Sequence, residues 1–370
     1  MTQTAHKKKF KICLVSISLA KGGAERSVAM LSQMLSSLGH QVHIVVLNNE
    51  IDFKYSGTLF NLGTLKPKDD HFLARLTRFK KLRRYLKTQA FDVVIDHRPK
   101  NEYFRELFYA KYIYRNLSAI YVVHSSKKQE YFTKMATKMA AIYNTQLATV
   151  TVSSHIEQYV AKTSGVLNCS TIHNAYNPAW KQEISLDDLP ANNYILSYGR
   201  LYDGIKDFSF LIHSFNASRV WKDGVSLVIM GDGPDKKMLQ DLAVSMPCNK
   251  HIVFLPFTKA PFGIIKNARC VTLTSFYEGF PMVLVESLSV GVPVVSLDIV
   301  SGPSEIIQHN YNGLLVKERD PEKFADALGV ICRDEVLYLK LKAQTQGSVQ
   351  QFSMLEISAK WDKLLQHVIR

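Results

Sequence analysis

Short apolar runs alternate with longer amphipathic stretches twice over in this chain, and that doubled alternation constrains the fold more than any other feature. The first set of runs lies at residues 12–18, 42–47, 93–95, 120–123 and 149–152, with helical spacing at 24–38 and about 71–88. The second set lies at 194–198, 226–230, 252–254, 270–273, 294–296 and 313–316, with helical stretches between most of them. Strands that are apolar throughout and alternate with helices build parallel sheets covered on both faces. Between the two sets, residues 177–193 loosen into a polar stretch with two prolines. The expected architecture is α/β, with two Rossmann-like doubly wound domains facing across a cleft. Residues 1–177 make the first domain, 178–193 the linker and 194–350 the second. Residues 351–370 make a terminal amphipathic helix, containing Trp361, that packs back on the first domain. A chain of 370 residues is long enough for two such cores. In open parallel sheets ligands bind beyond the carboxyl ends of the strands, so the loops there are where chemistry is expected.

The formal charge of +14 is unevenly spread. The first 180 residues carry 26 Lys and Arg against 11 Asp and Glu, whereas the remainder is nearly balanced. The first half therefore suits an anionic partner: a membrane surface, a phosphorylated lipid or nucleic acid. Five scattered cysteines with no close pair fit a reduced, cytoplasmic compartment and suggest neither a disulfide framework nor a zinc site. No apolar run reaches the length needed to span a bilayer. The basic N-terminus leads into a short run that reads as a first strand and not as a signal peptide.

The densest chemical signal is Glu278-Gly279-Phe280-Pro281-Met282, continuing to Glu286. Glu278 falls in a loop after an expected strand and Glu286 about one turn into the next helix. The Gly-Phe-Pro turn leaves backbone N–H groups near the helix start, where phosphate can sit. Carboxylates accept paired hydrogen bonds from vicinal hydroxyls, so two of them suit a ligand with hydroxyls at both ends. A lone pair of this kind also serves as a helix cap and a solvated carboxylate. Arg200 and Lys206 follow the first strand of the second domain; by themselves two such cations read as solvated surface charges. Gly22-Gly23 follows the first strand of the first domain and would let backbone amides approach a ligand. His124 ends the run at 120–123.

The segment 278–286 resembles the E-x7-E motif of glycosyltransferase family 4, and its context agrees. Tyr198-Gly199-Arg200-Leu201 with Lys206, Met230-Gly231-Asp232-Gly233-Pro234, Gly302-Pro303-Ser304-Glu305 and Asn312-Gly313-Leu314-Leu315 follow that family's order. Gly22-Gly23-Ala24-Glu25-Arg26, Gly39-His40 and Val123-His124-Ser125 extend the likeness into the first half. The resemblance implies a retaining transferase of GT-B fold that takes a nucleotide-sugar, most similar to bacterial hexosyl- or N-acetylhexosaminyl-transferases of surface glycans. It implies that Glu278 and the backbone of Gly279, Phe280, Pro281 and Met282 hold the transferred sugar, that Glu286 holds the ribose, and that His124 lies against the donor sugar. Arg200 and Lys206 would neutralise the departing diphosphate without metal or other cofactor, since no Asp-x-Asp pair is present. This Arg and Lys are six positions apart where the family usually has them five apart, with Gly204 as the insertion.

Residues 71–87 read HFLARLTRFKKLRRYLK, with an apolar stripe, seven cations and no acid. Such a helix can lie on an anionic membrane or hold a lipid's phosphates, and it can equally be a surface helix with its stripe on the core. Arg75, Arg78, Lys81 and Arg84 are the expected membrane or acceptor contacts, joined by His97 and Arg98 at the end of the run at 93–96. The reading is an enzyme acting on a UDP-sugar and an anionic glycolipid such as a lipopolysaccharide core or a polyprenyl-diphosphate-linked glycan, peripheral on the inner face of the cytoplasmic membrane. A soluble-acceptor synthase of the same fold and a basic nucleic-acid-binding protein are the alternatives.

Overall fold

The computed structural model describes residues 7–67, 72–177, 193–258 and 261–369. The segment read as the linker lies outside them apart from Asn193. The chain forms two compact units. One comprises residues up to Ala175 together with Met354 onward, and the other comprises Tyr176–Ser353.

The first unit holds a seven-stranded sheet. Its strands are β1 (Lys11–Ser16), β2 (Gln41–Val46), β3 (Thr58–Asn61), β4 (Val93–Asp96), β5 (Ala119–Val123), β6 (Ala148–Thr151) and β7 (Cys169–Thr171). Their order is β3-β2-β1-β4-β5-β6-β7, and each pairing is parallel. β2, β1, β4, β5 and β6 are buried almost end to end, as strands covered on both faces must be. The chain order reverses beside β1, so the ends of β1 and β4 form the switch point of this sheet.

The second unit holds β8 (Tyr194–Tyr198), β9 (Ser226–Met230), β10 (Ile252–Leu255), β11 (Cys270–Leu273), β12 (Val294–Leu297) and β13 (Gly313–Val316). The order is β10-β9-β8-β11-β12-β13, again parallel throughout. The ends of β8 and β11 take the switch-point position. A core of Ile195, Leu211, Phe215, Leu227, Ile229, Phe324 and Leu328 closes one face, with helices Phe208–Ser218 and Pro321–Arg333 packed on it.

The helix Met354–Val368 belongs to the first unit, where it packs on helix Gly23–Ser37. Ile357, Trp361 and Leu365 recur four apart and are buried, which gives it a single apolar stripe. Asp362 lies beside that stripe and is also buried. Its carboxylate accepts from Lys7 Nζ and from the Gln366 amide. Its other near neighbour is the Nε2 of His40, 3.6 Å away. The Nδ1 of His40 accepts the Phe10 N–H, so the neutral ring carries its proton on the side of Asp362. These contacts tie the start of β1, the turn before β2 and the last helix together.

Burial opposes ionisation of Asp362, but the bonds from Lys7 and Gln366 outweigh it and hold the carboxyl below its ordinary value. Its stabilising effect is therefore full above the unfolded value of about 3.9 and is lost as pH falls through the lower folded value. Asp362→Asn should lower stability at neutral pH and flatten the acid limb of the stability profile, as read by urea unfolding from pH 7 to pH 2. An acid limb as steep as that of the wild type would show that Asp362 does not contribute to it.

Candidate active site

At the carboxyl end of the second sheet, two turns are zipped backbone to backbone. Gly199, after β8, donates its N–H to the Met230 carbonyl at 3.0 Å, and Leu201 donates to the Asp232 carbonyl at 2.9 Å. A Cβ on Gly231 would lie 1.9 Å from the Gly199 oxygen, and one on Gly233 would lie 2.2 Å from the Leu201 oxygen. Only glycine allows that approach. Arg200 stands on this turn with an exposed side chain.

The chain then makes a single helical turn, Asp203–Lys206, with Lys206 at its end. Lys206 Nζ lies 2.6 Å from Glu278 Oε1, and Ser275 Oγ donates to the same oxygen at 2.7 Å. Both members of the ion pair are partly exposed, with side chains 22% and 14% accessible, so the pair faces an open surface. Asp207 follows in the left-handed region at φ +52°. Its carboxylate accepts the Phe210 N–H at the start of the next helix. Arg319 completes the assembly. Its guanidinium pairs with Asp207, donates to the Thr274 carbonyl at 2.9 Å and to the Ser275 carbonyl at 2.6 Å, and stacks on Phe276 at 4.3 Å.

Glu286 is on helix Met282–Ser289 and is only 1% exposed. One of its oxygens accepts from the Tyr198 hydroxyl at 2.8 Å. Gly279, Phe280 and Pro281 form the turn that starts this helix. Ser301 donates its hydroxyl to the Gly279 carbonyl at 3.0 Å. Gly302, at φ +100°, packs so closely that a Cβ would lie 2.3 Å from Pro281 Cδ. The segment after β12 thus braces the turn that carries Glu278.

In the first unit, Gly22 caps helix Gly23–Ser37 with an ordinary φ of −113°, so its conformation does not demand glycine. The two differ in surroundings: a Cβ on Gly23 would meet nothing within 4 Å, whereas one on Gly22 would lie 2.0 Å from Glu25 Oε2. His97 and His124 follow the adjacent strands β4 and β5, and His97 Nδ1 lies 2.9 Å from His124 Nε2. Burial lowers the affinity of both rings for a second proton, bringing the pKa of His124 to about 3, with the nearby Lys100 acting in the same direction.

Arg98 has a different fate from the one expected. It is 2% exposed, pairs with Asp96 at 2.7 Å and Glu106 at 3.1 Å, and lies over the Tyr109 ring at 3.4 Å. Its charge is matched internally by two buried carboxylates. Arg98 is therefore no exposed membrane contact, a correction of that expectation, and it reaches a ligand only through the wall of the cavity above it. Lys100 is buried beside it, donating to the carbonyls of Asp96 and Arg98, and burial brings its pKa down to about 8.

Above this network, at the ends of β1, β2 and β4, a cavity of about 320 Å³ opens. Its apolar wall includes Ile17, Leu47, Leu62 and Leu82. Its cationic wall includes Arg75 and Arg78, from helix Phe72–Gln89, the internally paired Arg98, and Arg105, which pairs with Glu102 and Glu106. Leu82 and Leu86 of that helix are buried and Phe79 meets Phe108 edge to face, whereas Lys81 and Arg84 are exposed.

Two family models match the chain end to end in succession: the glycosyltransferase family 4 model over residues 21–180 and the glycosyl transferases group 1 model over residues 181–347. The chain is a family 4 glycosyltransferase. Among its curated relatives is an N-acetylgalactosaminyltransferase of Campylobacter jejuni, acting on N-acetylgalactosamine-N,N'-diacetylbacillosaminyl-diphospho-undecaprenol. It is 25% identical over 94% of this chain and 97% of its own length. The lipopolysaccharide 1,6-galactosyltransferase of Escherichia coli is 31% identical over 50% of this chain and 52% of its own length. Among solved structures, Anabaena HepE with UDP and glucose superposes with a TM-score of 0.78 at 18% identity, covering 96% of this chain and 99% of its own. That likeness shows the GT-B fold.

The transferase thus brings Lys206 and Glu278 into contact, sets Arg200 on the adjoining turn and buries Glu286 nearby. The supporting Arg319 and the Tyr198 contact to Glu286 were missed by sequence reasoning. Tyr198 sat in view beside Gly199-Arg200, but nothing near residue 319 signals its role. The corrected role of Arg98 has a direct test. Removing a cation from between two buried carboxylates costs about 3–5 kcal/mol. Arg98→Ala should lower unfolding stability by about that amount in urea titration. A variant of wild-type stability would return Arg98 to the surface role.

Proposed function

We propose that this transferase moves a hexose or N-acetylhexosamine from a UDP-sugar, with retention of configuration, onto a lipopolysaccharide core or polyprenyl-diphosphate-linked glycan at the inner face of the cytoplasmic membrane. The observation that carries the donor half is the Lys206–Glu278 pair at 2.6 Å, beside the turn that bears Arg200. A cation and a carboxylate in contact can serve the two ends of one reacting bond. Lys206 and the guanidinium of Arg200 take the departing diphosphate, as a point charge and a planar fork. Glu278 accepts hydrogen bonds from hydroxyls of the transferred sugar, with the backbone of residues 279–282 alongside. Glu286, oriented by Tyr198, accepts from the ribose, and His124 contacts the donor sugar.

Glu278 is already held by Lys206 and Ser275, which suits a fixed acceptor of hydrogen bonds more than an attacking nucleophile. Retention then proceeds on one face of the sugar. The bond to phosphate breaks as the acceptor oxygen approaches, and the leaving phosphate oxygen takes the acceptor's proton. Orientation and charge neutralisation supply most of the rate.

The acceptor half rests on the first unit. Its cavity pairs an apolar wall with Arg75, Arg78 and Arg105, which suits a phosphate attached to a hydrocarbon. In the same unit Leu73, Phe104, Tyr112 and Met135 are exposed, as are Lys81 and Arg84. Apolar side chains set among Lys and Arg suit the interface of an anionic bilayer. Among the described residues no helix is long and apolar enough to cross a membrane, and the attachment proposed is peripheral. The acceptor of the Campylobacter relative is itself a diphospho-undecaprenol glycan.

Arg200→Ala and Glu278→Ala should each cut transfer by about 100-fold or more while leaving the melting temperature unchanged. Product formation should persist in chelator. Wild-type turnover in either variant removes that residue from the mechanism, and loss of activity in chelator removes the metal-free account of the diphosphate. Flotation with vesicles containing anionic lipid should carry the protein at low salt and release it at high salt. Failure to float at low salt would count against the lipid-linked acceptor and favour a soluble one.

A further inference from the structure

We propose that His97 is a positioning residue: it donates its Nδ1–H to Nε2 of His124 and thereby fixes the plane and tautomer of that ring. The inference rests on the reading above that His124 meets the donor sugar.

The two histidines leave adjacent parallel strands, and their facing ring nitrogens are 2.9 Å apart with ring planes inclined by 29°. His97 is fixed from behind. Its backbone N–H donates to the Val15 carbonyl at 2.9 Å, and its side chain is interior, at 3% exposure. Its sequence neighbours Asp96 and Arg98 are locked in the buried ion pair. His124 is half-exposed and follows the last residue of β5. His97 is therefore the anchored partner and His124 the one presented outward.

The direction of the hydrogen bond follows from counting protons. A neutral imidazole has one N–H and one bare nitrogen, so the shared contact uses one donor and one acceptor. The two remaining nitrogens, His97 Nε2 and His124 Nδ1, are closed to water and have no partner among the described residues. If His124 donated, His97 would keep an N–H at Nε2, sealed in the interior with no acceptor. Buried N–H groups without a partner are rarer and costlier than bare acceptor nitrogens. If His97 donates, the interior keeps only the bare nitrogen, and the unmet N–H falls on His124 Nδ1. That atom, itself closed to water, belongs to the less deeply buried ring, the one set against the donor sugar in the reading above. The interior His97 thus makes His124 a fixed, uncharged donor for a sugar hydroxyl. No proton is transferred in this arrangement, and no bond other than hydrogen bonds is made or broken.

The test is the long-range ¹⁵N–¹H correlation spectrum of the full protein labelled at histidine. The expected result is a protonated Nδ1 and a bare Nε2 on His124. A proton on Nε2 of His124 overturns the proposal without any variant. His97→Asp, whose carboxylate can only accept, should move the His124 proton to Nε2 and lower kcat about tenfold. His97→Asn can donate from nearly the position of Nδ1 and should recover most of that loss. An unchanged His124 tautomer in His97→Asp, or equal kcat in the two variants, overturns the proposal. Turnover of His124→Ala measures the underlying reading separately. A wild-type rate there refutes contact of His124 with the sugar, while the spectrum still decides whether His97 sets its tautomer.

Discussion

The guanidinium of Arg319 is the contact on which the donor-side arrangement turns. It satisfies two consecutive carbonyls, Thr274 and Ser275, in the stretch that leads from β11 to Glu278, and it neutralises Asp207 beside Lys206. Hydrogen bonds from a charged group are worth about 1.5–3 kcal/mol each. Three of them exceed the roughly 2 kcal/mol of rotamer freedom an arginine gives up. Thr274 Oγ1 adds a bond to the Asp207 carbonyl at 2.9 Å, and the Phe276 N–H donates to the Ile205 carbonyl at 2.8 Å. The loops after β8 and β11 are thereby cross-linked from both sides. Lys206 and Glu278 meet because their backbones cannot drift apart.

The first unit solves a different electrostatic problem. It carries a large surplus of cations, yet two of them, Arg98 and Lys100, are taken into the interior and set against Asp96 and Glu106. Despite burial, Arg98 and Lys100 hold Asp96 ionised at a pKa below its ordinary value. Tyr114 adds a hydroxyl to the same carboxylate at 3.1 Å. A network satisfied this fully fixes the floor of the cavity and the base from which His97 projects. Other cations stay at the surface, among them Lys81 and Arg84 of helix Phe72–Gln89, where an anion can reach them.

Interior strands were plain in the sequence because parallel strands covered on both faces leave continuous apolar runs. β8, β9 and β13 begin and end where the runs do. β3 and β7 were not seen. They are the two edges of the first sheet, and their residues are mostly half-buried, so no apolar run marks them. The same limit applies to side chains. Lys206, Glu278 and Glu286 are adjacent to glycine turns whose order along the chain is distinctive. Arg98 could not be told from His97 by sequence, since its fate depends on Glu106 returning from the following helix to meet it. Arg319 was equally hidden: it acts across more than forty residues on carbonyl groups, which carry no side-chain signature.

The first unit is assembled from two separated pieces of chain, with Met354 onward supplying one of its helices. Synthesis runs from the N-terminus and domains tend to fold as they emerge. The strands of this unit leave the ribosome long before the helix that shields Gly23–Ser37 and neutralises Lys7. Until that helix arrives, the apolar ground it covers is open to solvent and to other nascent chains, whereas Tyr176–Ser353 can close as one continuous stretch. The second unit translated is thus the first able to reach its finished form.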